Sequence, residues 1–187
     1  VRKPHVLHFM GHGESGSGQM PRLQISDGTW LDIEALARQI QQDFREVRLV
    51  VLEACRGAEP GAFASAAEHL CRAGVEAVLA FLWPVDEASA EDFVSAFYAA
   101  LTGEGAARGD VVASVETARE PRLGTSAAAF TAVLYLRGED GRLFDFRRPR
   151  TQAAAAAGPA LRGLDPPLSQ LLAGPFSLVL GSAGSQA

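Results

Sequence analysis

Cysteine is scarce in this chain, with two in 187 residues, Cys55 and Cys71. Two cysteines are too few for a disulfide framework, so a reducing cytoplasm is the expected setting. A basic excess is also missing. Lys and Arg number 17 against 22 Asp and Glu, a formal net charge of -5. No basic run supplies the electrostatic footprint that nucleic acid requires, which argues against that partner. No apolar stretch approaches the ~20 residues that span a bilayer. The start lacks the charged and apolar segments of a secretory signal, and a chain opening on Val1 reads as a piece of a longer polypeptide.

What is present suits an ordinary globular core, with 48% hydrophobic and 21% charged residues. Apolar runs alternate with helical spacing. His5–Met10 reads as a short buried strand, and the glycines and serines of Gly11–Gly18 as a mobile loop. Leu23–Ile25 and Thr29–Leu31 flank Ser26-Asp27-Gly28, a hairpin signal. Asp32 is placed to cap a helix carrying Ile33, Leu36 and Ile40. Val47–Glu53 is nearly continuous in apolar character, as expected of a parallel strand buried on both faces. Phe63–Ala73 reads as a helix closed by Gly74, and Val75–Leu82 as another buried strand stopping at Trp83-Pro84. Helices follow from near Ala88 and, capped by Asp110, over Val111–Arg119. Phe130–Leu136 reads as a strand that Gly138–Gly141 turns toward Arg142–Phe146. This alternation predicts an α/β fold, three layers around a mostly parallel sheet. Residues 1–147 form the predicted domain. Residues 148–187, rich in alanine and proline at first, read as linker or tail with a possible edge strand over Phe176–Leu180.

Two apolar runs end in chemistry-bearing residues. Val6–Phe9 leads into Gly11-His12-Gly13, and Val47–Leu52 into Glu53-Ala54-Cys55-Arg56-Gly57. Side chains at the carboxyl ends of parallel strands gather along one edge, where ligands bind. A thiol and an imidazole there form a nucleophile and its base. Cys55 is the expected nucleophile, with His12 taking its proton and returning one to the leaving amine. The N–H groups of Gly13 and Cys55 are the candidate oxyanion donors. Cys71, inside an apolar helical stretch, reads as a small buried hydrophobe.

Glu53-Ala54-Cys55-Arg56-Gly57 resembles the caspase signature at every position but the first, with His12 about forty residues upstream of Cys55. The chain also resembles the CHAT domains of the caspase-like superfamily. That resemblance rests on Val6-Leu7-His8-Phe9-Met10-Gly11-His12-Gly13, on Leu49–Gly57 and on Ala80-Phe81-Leu82-Trp83-Pro84-Val85-Asp86. It implies a caspase-like fold, a His12/Cys55 dyad and regulation by attached or partner domains such as TPR repeats, often in bacterial defence or cell death. Two departures stand out. The family has a sheet strand before the histidine strand, for which this chain leaves no room. Two residues before the cysteine it has a small polar side chain, where this chain has Glu53.

In caspases that position carries a glutamine lining the pocket for the residue at the cut, and those enzymes cut after aspartate. Metacaspases carry aspartate there and cut after Arg or Lys. Glu53 therefore implies selection of a basic residue, because a buried carboxylate needs a cationic partner. The alternative is a glutamate bonded to Arg56 or to backbone N–H groups. Asp86 is a candidate second acidic wall, against a helix-capping or solvated role. Trp83 is a candidate cleft residue, against packing beneath the cleft.

Other chemistries fit less well. His8 and His12 lie about 13 Å apart on an extended strand, too far to share a zinc ion with Cys55. His8 reads instead as a satisfied core residue or one supporting the site, His5 as a surface residue and His69 as a helix residue without a partner. The glycine-rich loop lacks the Gly-Lys-Ser/Thr ending of a phosphate loop. An acyltransferase or another hydrolase finds no cofactor signal. The expectation is a cysteine endopeptidase that needs no metal or organic cofactor, acts on protein, and takes a sheet-completing or regulatory partner. A latent caspase-like interaction module is the rival reading.

Overall fold

The computed structural model describes residues 4–14, 20–25, 29–54, 62–83, 85–126, 128–146 and 178–181. In chain order the elements are β1 (Val6–Gly11), β2 (Gly13–Glu14), β3 (Arg22–Gln24), β4 (Trp30–Asp32), α1 (Ile33–Asp43), β5 (Leu49–Ala54) and α2 (Ala62–Arg72). There follow β6 (Ala77–Phe81), α3 (Glu87–Thr102), α4 (Val111–Arg119), α5 (Ala128–Thr131), β7 (Ala132–Leu136) and β8 (Leu178–Gly181).

The main sheet has the order β7-β6-β5-β1-β8. β1, β5, β6 and β8 run parallel and β7 antiparallel at one edge. The central strands need covering on both faces, because their apolar side chains point both ways. Leu49–Leu52 and Ala77–Ala80 are fully buried. Neighbouring residues on a strand point to opposite faces, and β1 shows both layers directly. The Phe9 ring packs against Phe63 of α2, and the His8 ring against Tyr98 of α3. α1 packs with α2 on the first side, and α4 with α3 on the second. Each fully buried Leu or Phe contributes about 1.5–3 kcal/mol, so this sandwich is what fixes the sheet's edges.

A second sheet, β2-β3-β4, is antiparallel and grows from the end of β1. It contains the predicted hairpin, whose turn at 26–28 lies outside the described residues. The bond from Ile25 N–H to Thr29 O, 2.9 Å, closes the hairpin. The predicted mobile loop begins differently: Gly11 ends β1 and Gly13–Glu14 form β2, because Gly13 packs under Phe63. Residues 15–19 lie outside the described residues.

Other expectations shift for local reasons. Asp32 stands at the N-cap of α1 but makes no side-chain cap bond, since its backbone is committed to β4 opposite Arg22. The strand expected from Phe130 begins at Ala132, after the helical turn of α5. α3 and α4 are capped by Asp86 and Asp110, whose carboxylates accept from Ser89 N–H and from Val112 and Ala113 N–H. The C-terminal run pairs as β8 along the outer side of β1, from Leu7↔Leu178 to Met10↔Gly181.

Candidate active site

β1 and β5 are parallel neighbours, and their last partners in register are Gly11 and Ala54. His12 follows Gly11 in the chain, and Cys55 follows Ala54. Cys55 and its neighbours Arg56 and Gly57 lie outside the described residues. Parallel strands run about 4.8 Å apart, so β1 and β5 end side by side.

His12 is held from both sides. β1 ends just before it, and its own carbonyl accepts the N–H of Gln24 at 2.8 Å. Gly13 then pairs with Leu23. The half-buried imidazole is thus carried by a backbone tied into both sheets. Gly13 is buried, and a Cβ there would come within 2.8 Å of the Phe63 ring. The close packing of α2 on this turn requires glycine.

Beneath this edge lies a buried polar cluster. Register sets Met10 opposite Glu53 and His8 opposite Val51, so His8 and Glu53 share a face two residues apart along the sheet. His8 Nε2 lies 3.1 Å from Glu53 Oε2, with His8 7% and Glu53 3% exposed. The sequence pairs Glu53 with a basic substrate side chain or, as the alternative, with Arg56 or backbone N–H groups; among the described residues it lies against His8. Tyr98 of α3 closes the cluster, its ring centroid 5.7 Å from that of His8. Its hydroxyl is buried without a hydrogen-bond partner among the described residues. Burial first, and the nearby Glu53 charge second, push the phenol well above its ordinary range, so it stays neutral. Tyr98 is not among the candidate site residues that the sequence offers. The signal it carries, a phenol on the helix face toward a buried His and Glu, becomes visible only once strand register is known.

The remaining candidates separate. Trp83, just beyond β6, is 54% exposed. The Asp86 carboxylate accepts Ser89 N–H at 2.9 Å as the cap of α3. Cys71 is half-buried, its thiol facing Tyr135 O at 3.8 Å. Burial pushes that thiol up, which disfavours the thiolate a nucleophile requires. His5 Nδ1 is 2.9 Å from Glu46 O. His69, expected to lack a partner, has Nε2 2.9 Å from Met20 Sδ. Among the described residues no group of three or more His, Cys, Asp or Glu side chains is arranged to hold a metal ion. Nor, among them, is any helix long and apolar enough to cross a membrane.

Compared with known protein families, residues 1–129 match the CHAT domain. A search of curated proteins finds no match. The α/β sandwich with its mostly parallel sheet is the caspase-like architecture that the sequence led us to expect.

Proposed function

We propose, for a chain that belongs to the CHAT domain family and so to the caspase-like peptidases, that it is a cysteine endopeptidase cutting protein after Arg or Lys. The observation that supports this reading is the parallel register ending at Gly11↔Ala54, the residues that precede His12 and Cys55 in the chain. Cys55 attacks the peptide carbonyl, and His12 accepts the thiol proton and later protonates the departing amine. The N–H groups of Gly13 and Cys55 hold the oxyanion, where donors fixed in advance stabilise the developing charge. Glu53 supplies the negative charge that selects a basic side chain, and Trp83 covers the apolar stem of that side chain. The dyad chemistry draws on no metal or organic cofactor.

The setting of the reaction is part of the same proposal: a cytoplasmic enzyme of bacterial defence or regulated cell death, controlled by a partner chain or domain such as TPR repeats. A partner strand would add at β7 or displace β8.

A peptidyl acyloxymethyl ketone ending in Arg tests the dyad. Peptide mapping should find it on Cys55, and His12→Ala should abolish the labelling. Labelling of Cys71 instead would overturn the assignment.

The second reading, a caspase-like module that binds partners without cutting, draws on one observation. Leu82 N–H bonds to Thr131 O at 2.9 Å, and their chain neighbours Trp83 and Phe130 are 54% and 63% exposed. Exposed apolar pairs of this kind mark docking surfaces. On that reading neither cysteine is labelled, and Trp83→Ala abolishes partner capture.

A further inference from the structure

The protease reading leaves one buried titratable group unused. His8 sits four residues before His12 on β1, and its Nε2 is 3.1 Å from Glu53 Oε2. Both side chains are almost wholly enclosed, 9% and 3% exposed. A carboxylate offers about four lone-pair sites, and among the described residues His8 takes only one. With a neutral imidazole donating from Nε2, the cluster keeps a full negative charge beneath the candidate dyad. With a charged imidazolium, the same pair is neutral.

The other groups facing His8 leave that choice to the imidazole. From α3 comes Tyr98, whose phenol remains protonated. From β5 comes Glu53 itself. β8, which pairs with β1 on the other side, carries no titratable residue. The Tyr98 hydroxyl, without a hydrogen-bond partner among the described residues, stays protonated and brings no charge. Among the described groups facing Glu53, only the His8 imidazole can cancel its charge by taking up a proton.

We infer that His8 is a positioning residue that sets charge selectivity through Glu53: neutral, it aims the carboxylate at a basic substrate side chain, and protonated, it cancels that carboxylate's attraction. This rests on the Glu53 pocket reading and deepens it. A cation bound to Glu53 and a proton on His8 compete for the same negative charge, so each weakens the other by the same factor.

The test compares two peptides that differ only in arginine against citrulline, its neutral isostere, at the residue before the cut. The ratio of their kcat/KM values cancels the titration of His12, which serves both. In the wild type the arginine-to-citrulline ratio should fall about tenfold between about pH 8 and about pH 5.5. In His8→Gln, which keeps a donor near Nε2 but cannot take a charge, the ratio should stay flat. An equal fall in His8→Gln would mean that Glu53 itself titrates, and would overturn the inference while leaving the pocket reading intact. A wild-type ratio near one at every pH, unchanged by Glu53→Gln, would remove the pocket reading and this inference with it. If His8→Gln does not fold, the wild type answers alone. The His8 ring resonances should titrate at lower pH with a peptidyl-arginine ketone attached than with its citrulline counterpart. Identical titrations would overturn the inference.

Discussion

His8 Nε2 and Glu53 Oε2 stand 3.1 Å apart inside the sheet, joining the fourth residue before His12 to the second residue before Cys55. The contact locks the two site-bearing strands to each other just behind their ends. It also accounts for a carboxylate in a position this enclosed, because an unpaired buried charge is strongly destabilising.

Gly13→Ala should destabilise the fold by about 1–3 kcal/mol. The added Cβ would approach the Phe63 ring to 2.8 Å, and that ring is 2% exposed and packed against Phe9, so it cannot swing clear. Denaturant melts of Gly13→Ala, Phe63→Leu and the double variant check this. The double variant should be more stable than the sum of the singles by about 1 kcal/mol; strict additivity would contradict the contact.

Gly109 and Gly124 form a controlled pair. Both have left-handed backbone, φ 79° and 82°, so alanine costs about 1–2 kcal/mol at either. At Gly124 an added Cβ meets nothing within 4 Å, whereas at Gly109 it would collide with the Phe144 carbonyl oxygen. Gly109→Ala should therefore lose about 3 kcal/mol or more, and Gly124→Ala only the backbone cost. Equal losses in thermal melts would refute the close approach.

Asp86 is committed to the start of α3 through Ser89 N–H. Asp86→Ala should cost about 1 kcal/mol, and Asp86→Asn, which keeps the cap oxygen, less than about 0.5 kcal/mol. The arginine-to-citrulline ratio should be the same for Asp86→Asn as for the wild type. A large drop would make Asp86 the second acidic wall of the pocket.

What was legible in the sequence follows from what burial demands. β5 and β6 are covered on both faces, so Leu49–Leu52 and Ala77–Phe81 read as strands without any partner in view. Asp110 was readable as a cap because a carboxylate before a helical run has few competing uses, whereas Asp86, next to a candidate cleft, had two readings, pocket wall or cap. Asp32 looks the same in sequence, yet its backbone pairs with Arg22 in β4, and its side chain makes no cap bond. Phe130 looked like the start of a strand because it is aromatic, but the helical turn of α5 leaves it 63% exposed. The Phe176–Leu180 run could be read as an edge strand but not assigned an edge, since four apolar residues do not say which neighbour they join. The His8–Glu53 pair was hidden for a related reason. Its residues are far apart in the chain and meet only through the β1/β5 register, a tertiary fact.

The most direct measurement is hydrolysis of a fluorogenic peptide panel differing only in the residue before the cut. Wild type should be compared with Cys55→Ala. The account predicts cleavage after Arg or Lys in the wild type and none in Cys55→Ala. Undiminished cleavage in Cys55→Ala, or no cleavage by the wild type, would contradict it.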